Sequence, residues 1–147
     1  MAIEILTIGF TRTSAERFFA RLKEASVVRV LDIRLHNDSQ LAAFAKAGDL
    51  PYFLRELIGA TYEHDVRLAP DESLLTAVRK ERLPLDQFHA RYRSLMDERD
   101  VPGILDRASF ERKRTALLCS EPTADRCHRG ALAAILAEAW GAAVTHL

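Results

Sequence analysis

Apolar positions along the chain switch repeatedly between short β-rich runs and helical spacing. Ile3, Ile5, Leu6 and Ile8 form a run ending at Gly9, the pattern of a strand buried on both faces. Ala15, Phe18, Phe19, Leu22 and Ala25 then share one helical face, and Thr13 and Glu16 have capping-box spacing ahead of it. Residues 27–34 return to a β-branched, mostly apolar run. Strand, helix, strand at this spacing is a βαβ unit, which makes the two strands parallel.

The alternation continues. Leu41, Phe44 and Ala45 predict a short helix ended by Gly48. Asp49 is placed to cap another, with Pro51 in its first turn, Phe53, Leu54, Leu57 and Ile58 on its buried side and Gly59 as its stop. Tyr62, His64, Val66 and Leu68 alternate with polar neighbours and predict a half-exposed strand. Leu74, Leu75 and Val78 mark a helix that Pro84 separates from a second, carrying Phe88, Tyr92, Leu95 and Met96. After the break at Val101-Pro102-Gly103 and the charged stretch 111–114, residues 115–119 read as an apolar strand. Leu132, Ile135, Leu136 and Trp140 give a last helix, ended by Gly141, and residues 143–147 a last short strand. The expected architecture is a three-layer α/β sandwich. A mainly parallel sheet of about five strands is flanked by helices, in one domain over residues 1–147.

Composition narrows the function classes. The chain has 147 residues, 48% of them hydrophobic and 29% charged, the balance of a soluble globular protein. Its 21 basic and 21 acidic residues cancel, so no broad electrostatic footprint for nucleic acid is visible. No apolar run approaches the roughly 20 residues that span a bilayer. The opening residues read as a strand and not as a leader, so a cytoplasmic protein with reduced cysteines is expected.

In a parallel sheet the segments following each strand gather at one edge, where open α/β folds bind ligands. That edge is expected to collect Gly9 and Thr11, then Asp32, Arg34 and His36, and the segment from Cys119 to Arg129. Both cysteines, Glu121, His128 and Arg129 fall in that last segment. The unpaired N–H groups opening the last helix favour an anion. Arg34 and Arg129 would supply paired donors, with Cys127 beside them. Cys119 reads either as a nucleophile, with His128 as acid or base and Glu121 and Asp32 to orient or move protons, or as a small buried hydrophobe. Arg34 reads either as an anion ligand or as a partner of Asp32 or Glu121. A phosphatase loop is excluded, because Arg126 falls one residue late for Cys-x5-Arg. Cys119, Cys127 and His128 are suitable zinc ligands by type, but there is no CxxC pair. No metal or cofactor is therefore assigned. A bond between Cys119 and Cys127 depends on their separation in the fold.

Thr7-Ile8-Gly9, Asp32-Ile33-Arg34 and the block Cys119-Ser120-Glu121 with Cys127-His128-Arg129 resemble the signature blocks of the DUF488 family of uncharacterised proteins. Residues 36–40 and 49–54 resemble a subgroup with an Asn-x-Ser-Gln stretch and an Asp-Leu-Pro-Tyr-Phe-Leu helix start. The resemblance implies a compact α/β domain with its site on the strand-end edge, and supplies no reaction. Phe10 stands where many relatives have His, leaving His36 and His128 as the site histidines. Asn37 and Gln40 are equipped either to read an amide edge or to satisfy loop backbone. The leading expectation is binding of, or action on, an anionic, nucleotide-like small molecule. The alternatives are a non-catalytic nucleic-acid-binding module, using residues 111–114 with the edge arginines, and a protein-interaction module with a buried polar network.

Overall fold

The computed structural model describes residues 2–38, 42–120 and 128–147. Five strands form one sheet: β1 (Glu4–Gly9), β2 (Arg29–Asp32), β3 (Thr61–His64), β4 (Thr115–Cys119) and β5 (Ala143–His146). Their order is β3-β2-β4-β1-β5 and every pairing is parallel. The three inner strands are buried almost throughout, as continuous apolar runs predict, whereas β3 and β5 are largely exposed edges.

Successive inner-strand residues serve opposite layers. Leu6, Ile8, Val30, Ala116 and Leu118 pack against Phe18, Phe19 and Leu22 of α1 (Ala15–Glu24) and Leu50 and Leu54 of α2 (Leu50–Ile58). Ile5, Leu31, Ile33 and Leu117 face the other way. They meet Leu74 of α3 (Glu72–Lys80), Phe88, Tyr92 and Met96 of α4 (Leu85–Glu98), Phe110 of α5 (Arg107–Arg112) and Leu132 and Leu136 of α6 (His128–Trp140). The expected three-layer arrangement is therefore present. The loops leaving β1 and β2 lead to helices on one face, while the loop leaving β4, which lies between them, leads to α6 on the other. Chain segments diverge on both sides of Cys119, which opens a crevice at the strand ends.

Local details depart from the sequence expectation at four points. Ser14, not Thr13, caps α1, its hydroxyl accepting from the Arg17 N–H; the Thr13 hydroxyl instead donates to the Thr11 carbonyl. Asp49 occupies the cap position of α2, but its side chain makes no capping bond, and the backbone there is already helical. The third strand stops at His64. Asp65 then accepts from the Arg67 N–H and turns residues Val66–Leu68 into a single 3-10 turn, which an alternating pattern cannot distinguish from strand. The short helix expected near Phe44 is a 3-10 turn, Ala43–Ala45.

The N-terminal edge of the sheet is held by arginines. Buried Arg29 donates to Thr115 Oγ1 at 2.9 Å and Ser109 Oγ at 3.1 Å and lies over the Phe110 ring. Arg114 pairs with Glu4 at 2.6 Å. Among the described residues no helix is long and apolar enough to cross a membrane.

Leu117, with no exposed surface, sits mid-strand in the central β4. Leu117→Ala is expected to lower the unfolding free energy by about 2–5 kcal/mol through lost burial and a residual cavity. Urea denaturation would check this, as a lower midpoint with an unchanged slope.

Candidate functional site

Register aligns the strand ends. Gly9 is paired with Cys119 across β1 and β4, and Asp32 with Leu118 across β2 and β4. The Ile33 N–H continues the ladder to the Leu118 carbonyl at 3.1 Å. Gly9, Asp32 and Cys119 thus end neighbouring strands, as the parallel reading requires. The Thr11 hydroxyl and N–H both donate to the Ser120 carbonyl, at 2.5 and 2.9 Å, and tie the first loop to the end of β4.

The chemistry centres on a buried ion pair. Asp32 has no exposed surface, and the Arg34 side chain is only 4% exposed. Arg34 Nε donates to Asp32 Oδ1 at 2.8 Å and Nη2 to Oδ2 at 2.7 Å, a bidentate fork. The Arg34 N–H adds a third bond to Asp32 Oδ1 at 3.1 Å, and Nη2 also donates to the Ala45 carbonyl at 2.7 Å. The Phe10 ring lies 5.0 Å from the guanidinium carbon, within cation–π range. Arg34 Nη1 has no hydrogen-bond partner among the described residues.

A second shell of polar groups fixes Asp32 from the β3 side. Tyr62 donates to Asp32 Oδ2 at 2.5 Å, and burial first, then that bond, raises the phenol's pKa. His64 Nε2 lies 2.6 Å from the Arg34 carbonyl; a carbonyl only accepts, so Nε2 carries the proton and Nδ1 is an acceptor. Asn37 Nδ2 donates to that Nδ1 at 3.0 Å and to Tyr62 Oη at 3.1 Å. The Asn37 side-chain Nδ2 is therefore engaged within the protein, and the residue's backbone carbonyl accepts from the Ala47 N–H.

His128 opens α6 on the other side of β4. Its Nε2 lies 2.7 Å from the Ile33 carbonyl and must donate to it, which leaves Nδ1 as the acceptor, 3.5 Å from Cys119 Sγ. Burial lowers its pKa to about 4, against smaller raising effects of the Ile33 bond and Asp32. At neutral pH this ring is a base in form, not an acid. Cys119 is buried and disulfide-bonded. This corrects the expectation of a reduced Cys119: that expectation rested on compartment, whereas bond formation depends on sulfur separation in the fold. Cys127, the other cysteine of the sequence, lies outside the described residues, as do Glu121 and Gln40.

Beside the ion pair lies a cavity of about 320 Å³. Arg34, Leu35, His36, Cys119, Ser120 and His128 line one part, and Pro70, Leu75, Val78, Arg79, Leu83, Leu85 and Phe88 the rest. His36 pairs with Glu72 at 2.7 Å near its rim. Of the expected site residues, the structure brings Arg34, His36, Cys119 and His128 to this cavity. Asp32 and Asn37 stand behind Arg34 and position it. Gly9 and Thr11 belong to the adjoining strand end and loop. Arg129, buried in the first turn of α6, does not line the cavity; its charge instead contributes, after burial, to a lowered pKa at His146. Residues 111–114 precede β4 and so lie at the opposite end of the strand from Cys119. They cannot share one small site with Arg34.

Tyr62, His64 and the α3–α4 wall carry the arrangement without having been singled out for it. Val78 did leave a trace in the sequence, as part of the helical stripe before Pro84, and Leu83 and Leu85 flank that proline. Among the described residues no group of three or more His, Cys, Asp or Glu side chains is placed to hold a metal.

The family described as "Domain of unknown function DUF488" matches residues 14–136. The chain belongs to this family. No curated protein and no solved structure matches it. Within the DUF488 match lie β2, β3, β4 and most of α6, and hence the ion pair and the cavity; β1 and its loop with Phe10 precede it.

Two outcomes follow for this DUF488 domain. Asp32→Asn leaves a buried guanidinium without its countercharge and is expected to lose about 3–5 kcal/mol, while Asp32→Asn with Arg34→Gln loses less than the two single changes summed. Urea titrations of the four proteins would measure the coupling. His128 is neutral in the fold and more basic once unfolded, so the unfolded state binds the extra proton between about pH 6.5 and pH 4. Its contribution is fully present above pH 6.5 and is lost as pH falls through about 4, amounting to about 3 kcal/mol in all. Nitrogen NMR should show the Nε2-protonated ring persisting well below pH 6, and His128→Gln should flatten that part of the stability profile.

Proposed function

We propose that this DUF488 domain binds an anionic small molecule of nucleotide size or smaller at the C-terminal edge of the sheet. The observation that carries the reading is Arg34. Its fork is locked by Asp32, its Nη2 is shared with the Ala45 carbonyl, and Nη1, on a side chain that lines the cavity, has no partner among the described residues. A guanidinium held this rigidly presents the two Nη1 N–H donors with little ordering cost, which favours a carboxylate or phosphate oxygen. Arg79 at the rim and the Ser120 hydroxyl supply further donors. A volume near 320 Å³ lies at the low end of small-molecule sites, roughly 300–1,000 Å³.

A catalytic role belongs to the reduced state. With Cys119 as a thiol, its proton would face the acceptor Nδ1 of His128, the pairing that generates a thiolate nucleophile. Transfer of that proton to Nδ1 leaves an imidazolium beside the sulfur, while Nε2–H stays on the Ile33 carbonyl. In the disulfide state the same cavity binds without reacting.

Nucleotides, sugar phosphates and simple carboxylates screened by thermal shift, with and without reductant, would test the proposal. At least one class is expected to raise the melting temperature. Arg79→Ala should weaken that ligand about three- to tenfold, and Arg34→Lys, which keeps the charge opposite Asp32 but loses the fork, about tenfold or more. Stabilisation by none of these anions in either redox state would sink the reading.

A further inference from the structure

We infer that the ligand of this cavity is an organic anion with an apolar body, an alkyl or aryl group, and not a sugar phosphate or a bare inorganic anion. The inference rests on the anion reading above and adds the chemistry of the rest of the molecule. The cavity has two unlike parts. Among the described lining residues, the polar side chains lie on the strand-end side, at Arg34, Ser120 and His128, and at the exposed residues His36 and Arg79. The opposite wall is built by Leu75 and Val78 of α3, Leu83 and Leu85 around Pro84, and Phe88 of α4. None of those five side chains can hydrogen-bond.

Sugar hydroxyls or a nucleobase edge set against this wall would surrender hydrogen bonds to water and receive none in return. An alkyl or aryl group surrenders none and gains from burial, each methylene tightening binding by up to about fourfold. Asn37, the described amide most suited to reading a base edge, has its donors engaged by Tyr62 and His64 and does not line the cavity.

A second observation concerns exposure. Val78 is 38% and Leu85 43% exposed, two of the seven large apolar side chains left open to solvent among the described residues, and both border this cavity. An apolar ligand reaching from Arg34 to the rim would cover them. Such a ligand is held at one end by a fixed guanidinium and along its length by the α3–α4 wall.

The test is a ligand series measured by calorimetry on the intact chain: inorganic phosphate, ethyl, butyl and hexyl phosphate, phenyl phosphate, glucose 6-phosphate, and hexanol as the uncharged match. Affinity is expected to rise two- to fourfold per methylene from ethyl to hexyl phosphate. Phenyl phosphate should bind with the longer chains, and glucose 6-phosphate no better than inorganic phosphate. Val78→Asp and Leu85→Asp, both at exposed positions, should flatten the series while their unliganded melting temperatures stay near that of the parent. A flat series in the parent, or glucose 6-phosphate binding as tightly as hexyl phosphate, overturns the inference and leaves the anion reading standing. No binding by any phosphate, or hexanol binding as tightly as hexyl phosphate, overturns the anion reading and this inference with it.

Discussion

The Asp32–Arg34 pair is the constraint on which the strand-end edge depends. A carboxylate with no solvent exposure at the end of an inner strand must be neutralised where it stands. Arg34, two residues on, does so with three hydrogen bonds, one from its own backbone. Because those bonds use both the main chain and the side chain of one residue, they also fix the path of the chain leaving β2. Tyr62, His64 and Asn37 then close around the pair from the β3 side. Replacing the pair by apolar residues of similar volume would be expected to cost the fold little. What it supplies is position: a guanidinium held by Asp32 and the Ala45 carbonyl, with its two Nη1 donors unpartnered among the described residues.

Topology explains why a cavity lies next to it. β4 stands between β2 and β1, yet its outgoing loop leads to the opposite face from theirs. Leu75, Val78 and Arg79 of α3 with Leu85 and Phe88 of α4 form the outer wall. The site is thus the joint product of strand order and of one long excursion, α3 to α5, between β3 and β4.

Much of this was legible in the sequence. Residues 3–8, 27–34 and 115–119 carry no alternation because both faces are covered, and the strand–helix–strand spacing made the first two of these parallel. From there, the convergence of Asp32, Arg34, Cys119 and His128 followed by geometry. The alternatives that remained open were those decided by side-chain direction. Arg34 does serve Asp32, and because a guanidinium has five donors that pairing does not use up the side chain. Arg129 looked equivalent to Arg34, but one step around a helix turns it away from the cavity. Tyr62 and His64 looked like ordinary positions of a half-exposed strand, since nothing local shows that β3 lies beside β2. The stop at His64 was also hidden, because Asp65 competes for the backbone through its own side chain.

The pairing of Arg34 with Asp32 has an electrostatic consequence. The two charges cancel within a few ångströms, so little field extends from Arg34 into solvent, and the chain as a whole has a formal net charge of zero. An anion bound as proposed would therefore not be drawn in from a distance. Its association rate should respond weakly to ionic strength, and discrimination between ligands would fall to contact: which oxygen reaches the Nη1 donors, and what the rest of the molecule touches once it has.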